Sequence, residues 1–167
     1  MSLDLFKRLG LFIIMCAVQI LILNHIHLFD VATPFLFVYF AISFRRGTPK
    51  WAILLWCFAM GLAVDVFSNT PGLAAASLTV IAAIQPYYFE LFVPRDSVED
   101  LKPALSTLGP LKYSYYIIIM VLLYCLIFYS LELFTYFNWV QWALCVGGSA
   151  AITLMLIFTF EIAKLNR

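Results

Sequence analysis

Charge is what this sequence has least of. Of its 167 residues only 11% are Asp, Glu, Lys or Arg, against about 25% in a typical soluble domain. That shortage excludes an ordinary soluble domain, a disordered tail and a nucleic-acid binder, and it argues against an enzyme with a solvated surface. Catalytic vocabulary is scarce too. There are two histidines and four cysteines, and Cys16, Cys57, Cys125 and Cys145 all sit inside apolar runs with no C-x-x-C or other metal or redox spacing. They read as small buried hydrophobes. No H-E-x-x-H, phosphate-binding glycine loop or nucleophile–histidine pair is present.

What is present is apolar. Hydrophobic residues make up 65% of the chain and mean hydropathy is +1.00. At about 20 residues per helical crossing, the length accommodates about six spans with short loops. The expected fold is all-α: a polytopic integral membrane protein forming a single transmembrane domain of six helices, at residues 9–29, 31–44, 51–67, 73–93, 113–136 and 139–163. The first run follows Lys7 and Arg8 like a signal peptide. However, Asn24, His25, Ile26 and His27 come next where a small-x-small cleavage site would stand, so it reads as an uncleaved span. The second run is short for a crossing and carries Pro34, which would open a helix. Gln85 and Pro86 interrupt the fourth, predicting a kink or a break. Residues 94–112 form the one substantial loop.

Six spans place all ten Lys and Arg residues (Lys7, Arg8, Arg45, Arg46, Lys50, Arg95, Lys102, Lys112, Lys164 and Arg167) on the side of the N-terminus. The positive-inside rule then makes both termini and the 94–112 loop cytoplasmic. Changing the span count by one would destroy this segregation. It supports the weak second span better than hydropathy does.

Polar residues within spans each need an account, because a charge at mid-bilayer costs about 2.5–3.5 kcal/mol on insertion scales. Asp65 lies about 21 Å along the third helix from Trp51, toward its outer end, with Gly61 one turn earlier on the same face. Three readings stand: the polar edge of the outer turn, a packing or capping role at the turn Asn69-Thr70-Pro71-Gly72, or proton or solute handling. Gln19 sits mid-span and is expected to face another helix. Gln85 could satisfy carbonyls freed at Pro86. Glu90, Glu132 and Glu161 read as interfacial. His25, His27 and Asp30 could bind zinc in principle but offer no fourth ligand, so no metal site and no cofactor are expected. Small-residue tracts at Ala74 and Ala75 and at Gly147 and Gly148 permit close helix approach, inside the bundle or to a partner's helix. The fifth span, with Tyr115, Tyr116, Tyr124, Phe128 and Tyr129, reads as a lipid-facing or partner-facing aromatic surface.

The stretch from Gly61-Leu62-Ala63-Val64-Asp65 through Asn69-Thr70-Pro71-Gly72-Leu73 resembles the signature region of the MreD family, bacterial rod shape-determining membrane proteins. Gln19 in the first span and Pro34 opening the second resemble family positions, as do the size and the cytoplasmic N-terminus. The Tyr113–Tyr116 region is similar to versions from the Bacteroidetes lineage. The short second span and the proline in the turn Asn69-Thr70-Pro71 are departures from the family's pattern. The resemblance implies a non-catalytic protein of the bacterial inner membrane. It would associate with the bitopic MreC and, indirectly, with the MreB filament, the RodA glycosyltransferase and a penicillin-binding transpeptidase in lateral peptidoglycan synthesis. It also implies a fold similar to the six-helix substrate-binding component of energy-coupling-factor transporters. A small-solute (vitamin-like) binding component of a transporter is the alternative. The structural and motif positions are Gln19, Pro34, Gly61, Asp65, Pro71 and Gly72. The packing or partner surface is Ala74, Ala75, Gly147 and Gly148.

Overall fold

A computed structural model describes residues 2–22, 33–93, 101–132 and 138–165. The described residues are helical apart from turns and irregular stretches. The elements are α1 (Ser2–Leu21), α2 (Val38–Ile42), α3 (Lys50–Ser68), α4 (Leu73–Phe92), α5 (Leu105–Leu108), α6 (Pro110–Glu132) and α7 (Trp139–Leu165). The protein is an all-α, multi-pass membrane protein. By length and composition α3, α6 and α7 are each able to cross a bilayer. Helix α4 is as long as α3 but more polar, because Gln85, Pro86, Tyr87, Tyr88 and Glu90 fall within it.

The surface has the character of a membrane protein. Helix α3 buries Ile53, Cys57, Met60, Gly61, Val64 and Asp65 on one stripe, yet its opposite face exposes Trp51, Leu55, Phe58, Leu62 and Val66. Helices α6 and α7 likewise expose Leu111, Ile119, Leu122, Leu144, Met155 and Ile162. A helix that is apolar all round belongs in lipid or in a core, and these outward faces are not in the core.

Helix α1 packs on α3, α3 on α4, α4 on α6 and α6 on α7. The segment 33–44 threads between them. Every residue from Pro34 to Ile42 is buried. Here the structure departs from expectation. The segment is helical only over Val38–Ile42; residues 33–35 are irregular and Leu36 and Phe37 form a turn. The helix that Pro34 was expected to open begins four residues later. The segment's apolar side chains are buried on all sides, and its backbone groups find partners on other elements, so packing rather than helical periodicity sets its shape. By contrast, α4 continues unbroken through Pro86.

Two further expectations are corrected by burial. On α6 the aromatic residues face inward: Tyr116, Tyr124, Phe128 and Tyr129 are buried, and of the named set only Tyr115 is exposed. Glu161, expected at the cytoplasmic end of its span, is turned into the protein and only 3% exposed. Residues His25, His27, Asp30, Arg95, Asp96, Glu99 and Asp100 lie outside the described residues.

Candidate functional site

Two polar constructions organise the interior. The first joins α3 to α4. Helix α3 ends at Asn69, whose left-handed φ of 56° is one that asparagine tolerates. Its N–H bonds the Asp65 carbonyl oxygen, and the Thr70 N–H bonds the same oxygen at 3.3 Å. The chain then turns at Gly72, with φ of 82°, a conformation that suits glycine. Gly72 occupies the N-cap of α4 and has no side chain to cap it. Asp65 does so from the preceding helix. Its Oδ1 accepts the Ala74 N–H at 2.9 Å and its Oδ2 the Ala75 N–H at 2.8 Å. These are the N2 and N3 donors that an N-cap side chain normally satisfies. The Thr70 hydroxyl donates to Oδ1 at 2.9 Å. The carboxylate is 3% exposed and faces the positive end of the α4 dipole.

Gly61, one turn before Asp65, makes this reach possible. A Cβ there would lie 2.6 Å from the Ala75 backbone nitrogen and 2.8 Å from the Ala74 carbonyl oxygen. The two backbones touch at Gly61, which brings Asp65 within hydrogen-bonding distance of Ala74 and Ala75. Pro71 lies exposed in the connecting turn. Gly147 is different: it is exposed, and nothing described lies within 4 Å of a Cβ built on it. Gly148 is half-buried.

The second construction satisfies the non-helical stretch of the 33–44 segment. Gln19 of α1 is 2% exposed. Its Nε2 donates to the Pro34 carbonyl at 2.9 Å and its Oε1 accepts the Leu36 N–H at 3.2 Å, so one amide replaces two absent backbone partners. From α7, Ser149 Oγ accepts the Thr33 N–H at 3.1 Å and Thr153 Oγ1 accepts the Phe35 N–H at 3.0 Å. The Tyr129 hydroxyl bridges Ser149 Oγ at 2.6 Å and Thr33 Oγ1 at 2.8 Å. At the far end the Tyr39 hydroxyl donates to Glu161 Oε2 at 2.7 Å. Gln85 Nε2 donates to the Phe44 carbonyl and to the Tyr116 hydroxyl, both at 3.2 Å, and Tyr116 donates to the Ile42 carbonyl at 3.4 Å. Gln85 thus serves the end of the buried segment and not the Pro86 site.

Sequence reasoning missed three of these groups. Neither Thr153 nor Ser149 stands out in the sequence, and the hydroxyls of Tyr116 and Tyr129 belong to residues expected on a surface. The available signal was spacing: Ser149, Thr153 and Glu161 recur at multiples of four, one face of α7.

Two cavities adjoin the segment. One, of about 530 Å³, is lined among others by Gln19, Thr33, Phe35, Thr70, Phe128 and Glu132. The other, of about 240 Å³, has Arg8, Arg45, Lys102 and Lys164 in its wall. Among the described residues no group of three or more His, Cys, Asp or Glu side chains is arranged to hold a metal ion. Compared with protein-family models, curated proteins and solved structures, the chain matches none.

Proposed function

We propose that the chain is a non-catalytic scaffold of the bacterial inner membrane, similar to the MreD family, that holds a bitopic MreC-like partner within the machinery of lateral cell-wall synthesis. MreB, RodA and a penicillin-binding transpeptidase would be reached indirectly. One observation carries the reading. Setting aside tyrosine and tryptophan, of which Tyr113 and Tyr124 bury a hydroxyl without a hydrogen-bond partner among the described residues, the buried polar side chains among those residues are Gln19, Asp65, Ser77, Gln85, Ser149, Thr153 and Glu161. Each hydrogen-bonds the chain's own backbone or side chains. Interior polarity here serves architecture, and the stretch Gly61–Leu73 that carries the family resemblance is a helix-joining device.

The six-crossing topology with both ends cytoplasmic belongs to the same proposal. Its weak point is the short second segment, and the register with α7 supports it there. Contacts run from Thr33–Ser149 through Phe35–Thr153 to Tyr39–Glu161, so six residues advance about 18 Å along α7 at 1.5 Å per helical residue. A partly extended chain covers the bilayer in fewer residues than a helix does. Non-helical backbone at membrane depth is tolerated where protein surrounds it.

The test is loss of the protein in its own host. Rounded cells that regain rod shape with the wild-type copy are expected; unchanged shape would refute the scaffold role. A second reading, small-solute binding, is favoured by the cavity of about 530 Å³ beside an irregular segment, because interrupted helices line solute sites in transporters. A small molecule that stays bound through purification and is lost on Gln19→Leu would favour it.

A further inference from the structure

The cavity of about 240 Å³ gathers cations from four separate parts of the chain: Arg8 of α1, Arg45 after α2, Lys102 before α5 and Lys164 of α7. Leu11, Phe40, Phe44 and Phe160 supply an apolar wall, and Tyr39 and Ser43 add hydroxyls. Glu161 is engaged by Tyr39 at 2.7 Å and faces Lys164 at 3.9 Å.

The wall is held in place. Arg8 donates to Thr48 Oγ1 at 3.1 Å, and its guanidinium lies 5.0 Å from the Phe44 ring centre. The Arg46 N–H bonds the Leu101 carbonyl at 3.0 Å, which ties the turn carrying Arg45 to the strand of chain carrying Lys102. The Lys102 carbonyl accepts the Thr107 hydroxyl at 2.6 Å. Lys164 Nζ donates to the Tyr39 hydroxyl at 3.3 Å.

We propose that this cavity binds an anionic phosphate ester, with room for an apolar portion beside the phosphate. Arg and Lys would take the phosphate oxygens, for which Arg geometry is suited, while Phe44 and Phe160 meet the apolar part. Basic pockets between membrane helices bind lipid head groups in this way. The same chemistry is offered by an anionic phospholipid and by a soluble phosphate ester.

Phosphatidylglycerol and phosphatidylcholine offered in equal amounts to the purified full chain, with retention read by native mass spectrometry, test the proposal. Competition by sn-glycerol 1-phosphate identifies the soluble source. Phosphatidylglycerol should be retained in preference. Lys102→Gln, at an exposed position, should weaken retention about fivefold, and the Arg45→Gln/Lys102→Gln pair more than tenfold. Lys112→Gln, outside the lining, should have no effect. Binding of glycerol phosphate with the same sensitivity to Lys102→Gln would support the site with a soluble occupant. Equal retention of both lipids with no glycerol phosphate binding would overturn it, as would an equal loss in Lys112→Gln.

Discussion

Asp65 is a cap supplied from a distance. Two first-turn donors of α4 depend on it, and a buried donor left without a partner costs about 1–3 kcal/mol. Asp65→Ala should therefore destabilise the protein by about 2–4 kcal/mol. Asp65→Asn keeps one acceptor oxygen and should cost about half as much, measured by thermal or denaturant unfolding in detergent. Gly61→Ala should cost about 1–3 kcal/mol by overpacking. Ala75→Gly should not rescue it, because the obstructing atoms are the Ala75 nitrogen and the Ala74 carbonyl oxygen, both backbone. Two neighbouring tyrosines separate a useful hydroxyl from an idle one. Tyr129 bridges Thr33 and Ser149, so Tyr129→Phe should lose about 1–2 kcal/mol. The buried Tyr124 hydroxyl has no hydrogen-bond partner among the described residues, so Tyr124→Phe should be neutral or stabilising in the same assay.

At the scale of elements, the 33–44 segment is the least autonomous part of the molecule. Isolated, it has one five-residue helix, far too short to be stable alone. It is shaped by side chains of α1, α4, α6 and α7. Thr153→Val preserves volume but strands the Phe35 N–H, and Gln19→Leu strands both the Pro34 carbonyl and the Leu36 N–H. We expect losses of about 1–3 kcal/mol for the first and about 2–5 kcal/mol for the second, scaling with the number of groups stranded. Hydrogen exchange should show the protection of residues 35–40 falling first. If Gln19→Leu leaves that protection unchanged, the clamp is not what holds the segment.

The sequence carries some of this and hides the rest. That the chain is all-α and membrane-embedded is legible in its composition. That Gly61 and Asp65 share a face follows from spacing, but their target, the first turn of α4, lies nine and ten residues further on across a glycine turn. The shape of residues 33–44 was not legible, since Phe35-Leu36-Phe37-Val38-Tyr39-Phe40-Ala41-Ile42 is apolar at nearly every position and has no period to separate helix from buried extended chain. The aromatic face of α6 was misjudged for a related reason. Tyrosine suits both an interface and a core that offers its hydroxyl a partner, and only the positions of Thr33, Ser149 and Ile42 decide between them.

Over the whole molecule, the scarcity of charge and the use made of the remaining polarity point the same way. Exposed faces of α3, α6 and α7 are apolar, while buried polarity clamps an irregular segment and caps a helix. Four of the ten basic residues converge on one cavity wall. A protein built this way presents apolar helix surfaces outward, which the proposed scaffold role requires. Co-purification of the tagged full chain from native membranes, with every bound protein and small molecule identified, tests this most directly. The account predicts a bitopic MreC-like protein in near-stoichiometric amount and no small solute in the cavity beside Gln19. A tightly held solute there, with no membrane partner recovered, would contradict it.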